Sequence, residues 1–303
     1  MRRREFITLV GAATTAWPLS ARAQASKSRR IGALYIGLAD AELFKKELRE
    51  GLRELGYVEG KNIEFEFRSA EGKLDQLPEL ASELVRLKVD VIVALYVPCV
   101  LAAKQATREI PIVMIAADPI ETGIVAGLAH PGGNITGVNL MSAALVGKCV
   151  ELFHDMLPRV RQIAVLTNGG DALFAKLVLD QVDLAGDAAF AEIVRSQAEA
   201  IVIQGSLSTK HLADLALEHR LPAASTTHAF VDAGGLMSYG ADGPALFRLS
   251  AKFVHRILQG ERPNDLPIEQ PTKFELAVNL KSAKTMGLIV PEAFLARADA
   301  LLE

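Results

Sequence analysis

The stretch IGALYIG (31–37), followed by AELFKKELREGLRELGY (41–57) and NIEFEFR (62–68), decides the fold. The first run is apolar throughout, is of strand length and stops at Gly37. A strand with no polar face is buried on both sides, as in a parallel sheet covered by helices. In the second run Leu43, Phe44, Leu48, Leu52 and Leu55 recur at helical spacing, with Lys, Arg and Glu opposite and Gly56 as the stop. The third run alternates as a half-buried strand does. Strand, helix and strand in that order predict a crossover unit of an α/β sheet.

The unit repeats downstream. Residues 74–88 predict an amphipathic helix and VDVIVAL (89–95) a buried strand. A helix through Ala102, Ala103 and Ala106 leads to IPIVMIA (110–116), the next strand. HPGGNITGVNL (130–140) then supplies turn punctuation and a short β-prone piece, and 141–157 read as helix. After Pro158 the pattern restarts, with strands at RQIAVLT (161–167) and AEAIVIQ (198–204) and a weaker one at LPAAST (221–226). The helix KHLADLALEHR (210–220) separates the last two, GGLMSYG (234–240) is a short strand, and 246–260 form a helix closed by Gly260. Residues 265–288 are a strand-rich return with a final helix. The expected fold is therefore α/β, with two doubly wound parallel-sheet lobes. The first takes 29–140 and about 235–262, the second 141–234 and about 263–303. Between the strands at 161–167 and 198–204 lie two helical patterns, FAKLVLDQVDLAG and DAAFAEIVRSQ, with no strand separating them. Either two helices follow in tandem or this lobe is a strand short.

Ahead of the first strand, MRRREFITLVGAATTAWPLSARA (1–23) has the form of an export signal. Arg2, Arg3 and Arg4 form a basic head, a Gly/Ala-rich stretch follows, and Ala21-Arg22-Ala23 gives a small-x-small cleavage pattern, with the cut after Ala23. Arg3-Arg4-Glu5-Phe6-Ile7 resembles the twin-arginine motif. No Cys follows the cut, so a lipid anchor is not expected, and the expected compartment is a bacterial periplasm.

Composition and motifs then exclude several classes. The formal charge of −3 gives no basic footprint for nucleic acid or an anionic membrane. The two cysteines, Cys99 and Cys149, stand outside any CxxC or metal spacing, and read either as a bridged pair or as two buried thiols. No phosphate-binding glycine loop, HExxH or GxSxG occurs, and the six histidines are scattered. Ser206, Ser208, Thr226 and Thr227 stand near strand ends without a visible His–carboxylate partner. No cofactor, no metal and no enzyme activity are expected.

In open α/β sheets ligands bind beyond the carboxyl ends of the strands. The tips to consider are Tyr35-Ile36-Gly37, Tyr96-Val97-Pro98 and Ala117-Asp118-Pro119. Asp118 can cap a helix over ETGIVAGL (121–128), face a ligand, or do both. Tyr35, Tyr96 and Tyr239 combine an apolar ring with a polar tip, which suits an organic ligand or packing at a lobe edge.

Several segments together resemble one family: GLRELGYVEGKNIEFEFRSAEGKLDQLPELASELV, ADPIETGIVAGLAHPGGNITGVNL, FVDAGGLMSYG and LPIEQPTKFELAVNLKSAKTMGL. It is the ABC-transporter substrate-binding proteins of the type-1 periplasmic fold, in the branch that includes aromatic amino-acid binders, and the match spans nearly the whole chain. The resemblance implies two lobes joined by three crossovers, a hinge that closes on a small ligand such as an amino acid or aromatic compound, and presentation of the closed form to an ABC permease of the inner membrane. A monomer without nucleic-acid partners is implied. Carried over by position, the ligand contacts are Tyr35, Tyr96, Pro98, Cys99, Ala117, Asp118, Asn139, Asn168, Gln204, Ser206 and Thr227. The chain departs from the family at Tyr96-Val97-Pro98-Cys99, where small residues and a Pro-Ala pair are usual, and at Asn168-Gly169-Gly170, where an Asn-Pro-Asn turn is common. About 20 residues of the family pattern are also missing near 175–190, which leaves open a variant that has lost binding. The same fold can also serve a sensor that hands its closed form to a receptor kinase.

Overall fold

The computed structural model describes residues 28–37, 41–167, 193, 195–207 and 210–303. The expected export segment, Asn168 and the region in which the second lobe reads as a strand short lie outside the described residues.

The first sheet holds β1 (Arg29–Tyr35), β2 (Ile63–Ser69), β3 (Val91–Leu95), β4 (Ile112–Ala116) and β5 (Ile135–Asn139) in the order β2-β1-β3-β4-β5, every pair parallel. The second holds β6 (Ile163–Leu166), β7 (Ala200–Ile203), β8 (Ala223–Ser225), β9 (Met237–Ala241), β10 (Phe274–Asn279) and β11 (Ala300–Leu302) in the order β11-β10-β9-β8-β7-β6. Only the β9–β10 pair is antiparallel. Among the described residues β6 pairs with β7 alone, whereas β1, which opens the first sheet, is flanked on both sides.

Helices cover both faces of the first sheet, and side-chain alternation divides its core accordingly. Ile31, Ala33, Val91, Val93, Val113 and Ile115 face α1 (Ala41–Glu54) and α7 (Gly243–Leu258), packing on Phe44, Leu48, Phe247 and Phe253. Leu34, Ile92, Ala94, Ile112 and Met114 face α2 (Leu77–Arg86) and α3 (Val97–Ala106), meeting Leu84 and Val100. The second lobe carries α4 (Ser142–Met156), α5 (Lys210–Glu218), α6 (His228–Asp232), α8 (Leu280–Met286) and α9 (Glu292–Leu295). No helix among the described residues is long and apolar enough to cross a membrane.

The chain crosses between the lobes three times. It leaves β5 for α4, which packs on β7, β8 and β9. It returns from β9 into α7, which lies against α1. There a Cβ on Gly51 would stand 2.8 Å from that of Ala251, so glycine permits the close helix approach. Arg248 Nε donates to the buried Glu47 carboxylate at 2.7 Å across the same contact. Residues 266–269 then run beside β5, with Thr136 Oγ1 donating to Leu266 O at 2.8 Å and Glu269 N to Gly137 O at 2.9 Å. From there the chain passes to β10 in the second sheet.

Two boundaries differ from the sequence expectation. The strand in 234–240, assigned to the first lobe, is β9 of the second sheet, and residues 266–269, assigned to the second lobe, lie against β5 of the first. A short apolar run shows that a strand is buried and carries no mark of which sheet buries it. The helix expected over 121–128 is also absent. Those residues form turns, with Gly123 at φ +68°. Both cysteines are free and fully buried. Burial pushes the Cys99 thiol far up, and that of Cys149 to about 12.

Candidate functional site

Between the carboxyl edges of the two sheets lies a cleft enclosing about 860 Å³ of empty space, its open mouth included. The first lobe gives it an apolar wall: Leu95 and Ile115 from the strands, Leu140 at the first crossing, and Leu246 and Phe247 from α7. The second lobe gives it Gln204, Gly205 and Ser206 beyond β7, and Thr226, Thr227 and His228 beyond β8.

Three helices of ten residues or more begin on this cleft, with Val97 of α3, Ser142 of α4, and Gly243 and Pro244 of α7 on its wall. The ends of two are capped by carboxylates. Asp118 Oδ2 accepts from Ala143 N in the first turn of α4 at 3.0 Å, and Asp242 Oδ1 accepts from Ala245 N in that of α7 at 3.0 Å. Helix α3 has no side-chain cap, and its N-cap residue is Tyr96.

Tyr96 is held at φ 73° and ψ 155°, a region that side-chain-bearing residues rarely enter. Its amide donates to Ile115 O at 2.8 Å and its carbonyl accepts from Val100 N at 3.2 Å, so bonds to β4 and to α3 fix the strained backbone from both sides. Among the described residues, Thr167, Ser206 and Thr227 carry buried hydroxyls with no hydrogen-bond partner. Two of the three, Ser206 and Thr227, line the cleft. A buried hydroxyl without a partner is costly, by about 1–3 kcal/mol, and such groups mark places where a ligand or water completes the bonding.

Of the residues expected to touch ligand, Tyr96, Ala117, Gln204, Ser206 and Thr227 come together on the cleft wall. The others lie elsewhere. Tyr35 is buried beneath α1, edge-on to Phe44 at 6.0 Å, because it shares the strand face of Ile31 and Ala33. Cys99 points into the core beside Val100, and Pro98, in the first turn of α3, is not on the cleft wall. Asp118 and Asn139 build the first crossing. Asn139 Oδ1 accepts from Asp118 N and from Met141 N, both at 2.9 Å, while Asp118 caps α4 and not the expected helix at 121–128. Burial pushes the Asp118 carboxyl up, the Ala143 amide draws it back, and Glu121 adds to the rise. Asn168 lies outside the described residues.

Sequence reasoning missed the contribution of α7. Its one local sign is Asp242-Gly243-Pro244, a helix start immediately after a strand. Among the described residues no group of three or more His, Cys, Asp or Glu is placed to hold a metal ion.

Two α/β lobes, three crossings and an apolar cleft between the strand tips define a two-lobed binding-protein fold. Comparison with known proteins agrees. The family model of ABC transporter substrate binding proteins matches residues 40–188 and 176–302, and the chain belongs to that family. A tyrosine-binding protein of Clostridioides difficile is 26% identical over 266 residues, covering 80% of this chain and 76% of the relative. The crystal structure of a conserved domain protein from Vibrio cholerae is 27% identical with a TM-score of 0.82, covering 91% of this chain and 100% of that one. An ABC domain from Streptococcus pneumonia in complex with L-Trp shares the fold at 24% identity and a TM-score of 0.79, with 91% and 100% covered.

Proposed function

We propose that this protein is the periplasmic solute-binding component of an ABC uptake system. It takes a small organic ligand into the cleft and closes about a hinge formed by the three crossings. The observation that carries this reading is the cleft itself: apolar residues of one lobe stand opposite Gln204, Ser206 and Thr227 of the other. A ligand that touches both walls binds the closed arrangement better than the open one and so shifts the population towards closure. The closed form is what a membrane permease would recognise. Working as a monomer in the periplasm fits the export pattern of residues 1–23 and the family. An amino acid or aromatic compound fits the apolar wall, and the names of the relatives, a tyrosine-binding protein and a domain bound to L-Trp, point the same way.

Thermal unfolding of the purified protein against a panel of amino acids, aromatic acids and sugars tests the reading. A ligand present at about 100 times its Kd stabilises the native state by about 2.7 kcal/mol. At least one compound is expected to raise the midpoint by several degrees, saturably and at one site per chain. No shift across the whole panel would count against uptake binding.

A further inference from the structure

We infer that Tyr96 sets the size limit of the cleft: its ring forms the floor on which the apolar side chain of a bound amino acid ends, and the strained backbone beneath it is kept for that ring. This rests on the proposed solute-binding role and adds the residue that decides which solute fits.

The position of the ring comes first. The two faces of the first sheet bury separate clusters, one under α2 and α3 and the other under α1 and α7. Among the described residues, Tyr96 alone packs against both. A side chain that touches both sides of a sheet lies across the sheet's edge. Tyr96 directly follows β3, the central strand, so that edge is the carboxyl edge, where the residue lines the cleft.

The backbone supplies an independent reason. Among the described residues, six other side-chain-bearing residues have positive φ, all between 42° and 60°. Tyr96, at φ 73° and ψ 155°, lies in a region that essentially only glycine enters freely. The bonds that hold it there are made by its own amide to Ile115 O and by its carbonyl from Val100 N. A glycine would make both bonds without the strain. They account for the conformation and leave the tyrosine unaccounted for. What tyrosine adds is a rigid ring, placed where a solute would sit. Its neighbours on the wall, Leu95, Val97, Ile115 and Ala117, are aliphatic. Removing the ring would therefore extend the cleft as apolar space that a longer apolar side chain can fill.

Calorimetric titration of the whole protein with amino acids of increasing size tests this. The probes are L-leucine, L-phenylalanine, L-tryptophan and 3-(2-naphthyl)-L-alanine. In Tyr96→Gly and Tyr96→Ala, the affinity for the naphthyl compound, relative to the smallest probe that the parent binds, is expected to rise about tenfold. Tyr96→Phe keeps the ring and should keep the parent's order of affinities. The glycine and alanine variants both lack the ring and differ by the Cβ, so the glycine variant should melt about 3 °C above the alanine variant.

A ring that served packing alone would lower the melting temperature of both truncated variants and leave the affinity ratio at the parent's value, which would overturn the assignment. A parent that favours the naphthyl compound over the three smaller probes would contradict a floor that limits size. Equal melting of the glycine and alanine variants would remove the strain from the account. A sugar that binds while all four probes stay silent would overturn the size limit and leave the proposed function standing. Silence from every compound would remove both.

Discussion

Gly137→Ala is expected to destabilise the protein by about 4 kcal/mol, at the upper end of single-residue effects. Gly137 lies in β5 at φ +137°, and a Cβ there would stand 2.1 Å from Met114 O and 2.7 Å from Met114 N on the neighbouring strand. Neither atom can yield without parting β4 from β5, since Met114 and Gly137 are register partners in the parallel ladder. The other side is closed as well, because Glu269 N donates to Gly137 O at 2.9 Å. An alanine would strain its own backbone and also loosen the crossing that leads to the cleft. Thermal unfolding followed by circular dichroism should show a midpoint roughly 10 °C lower. The same change at Gly147, on the exposed face of α4 with nothing within 4 Å of a new Cβ, should instead stabilise by about 0.5–1 kcal/mol. Equal losses at the two sites would show that the close approach at Gly137 is not what constrains it.

Ala117→Trp is the substitution expected to damage binding most. Ala117 follows β4, is 6% exposed and lines the cleft, so an indole ring there would fill space that the proposed binding mode gives to the ligand. Displacing about 100 Å² of apolar contact costs roughly 2.5 kcal/mol. That corresponds to about a hundredfold loss of affinity. Overpacking at this buried position costs a further 1–3 kcal/mol or about that of stability. The melting temperature should therefore fall as well, though less than for Gly137→Ala. Unchanged affinity in calorimetry would place the ligand outside the cleft.

Much of this architecture could be read from patterning. Runs such as VDVIVAL and IPIVMIA are apolar on both faces because both faces of the first sheet are covered, and each became a central strand. Which lobe receives a strand was not legible. β9 joins the second sheet because its long-range partners β8 and β10 lie there, and no local signal in Met237–Ala241 records that. The site was legible in part for the same reason. Tyr96, Ala117, Gln204, Ser206 and Thr227 sit at or just past strand ends, where the topology alone places a ligand. Tyr35 sits at a strand end too, but strand parity puts it with Ile31 and Ala33 on the face under α1, a signal present in the sequence. Cys99 likewise falls one residue from Val100 and four from Ala103 on the buried side of α3. Phe247 and Leu246 reach the cleft only because α7 returns across the whole chain to pack on α1, which no local pattern encodes.

The central claim is that one ligand, bridging both lobes, closes the cleft. Spin labels at Lys73→Cys and Lys210→Cys test it most directly. These exposed positions lie beyond the carboxyl ends of β2 and β7, one in each lobe, and the native thiols are buried away from the labelling reagent. Saturation with the solute identified in the panel should shorten the distance between the labels and narrow its distribution. A solute that binds at one site per chain and leaves that distribution unchanged would contradict the account.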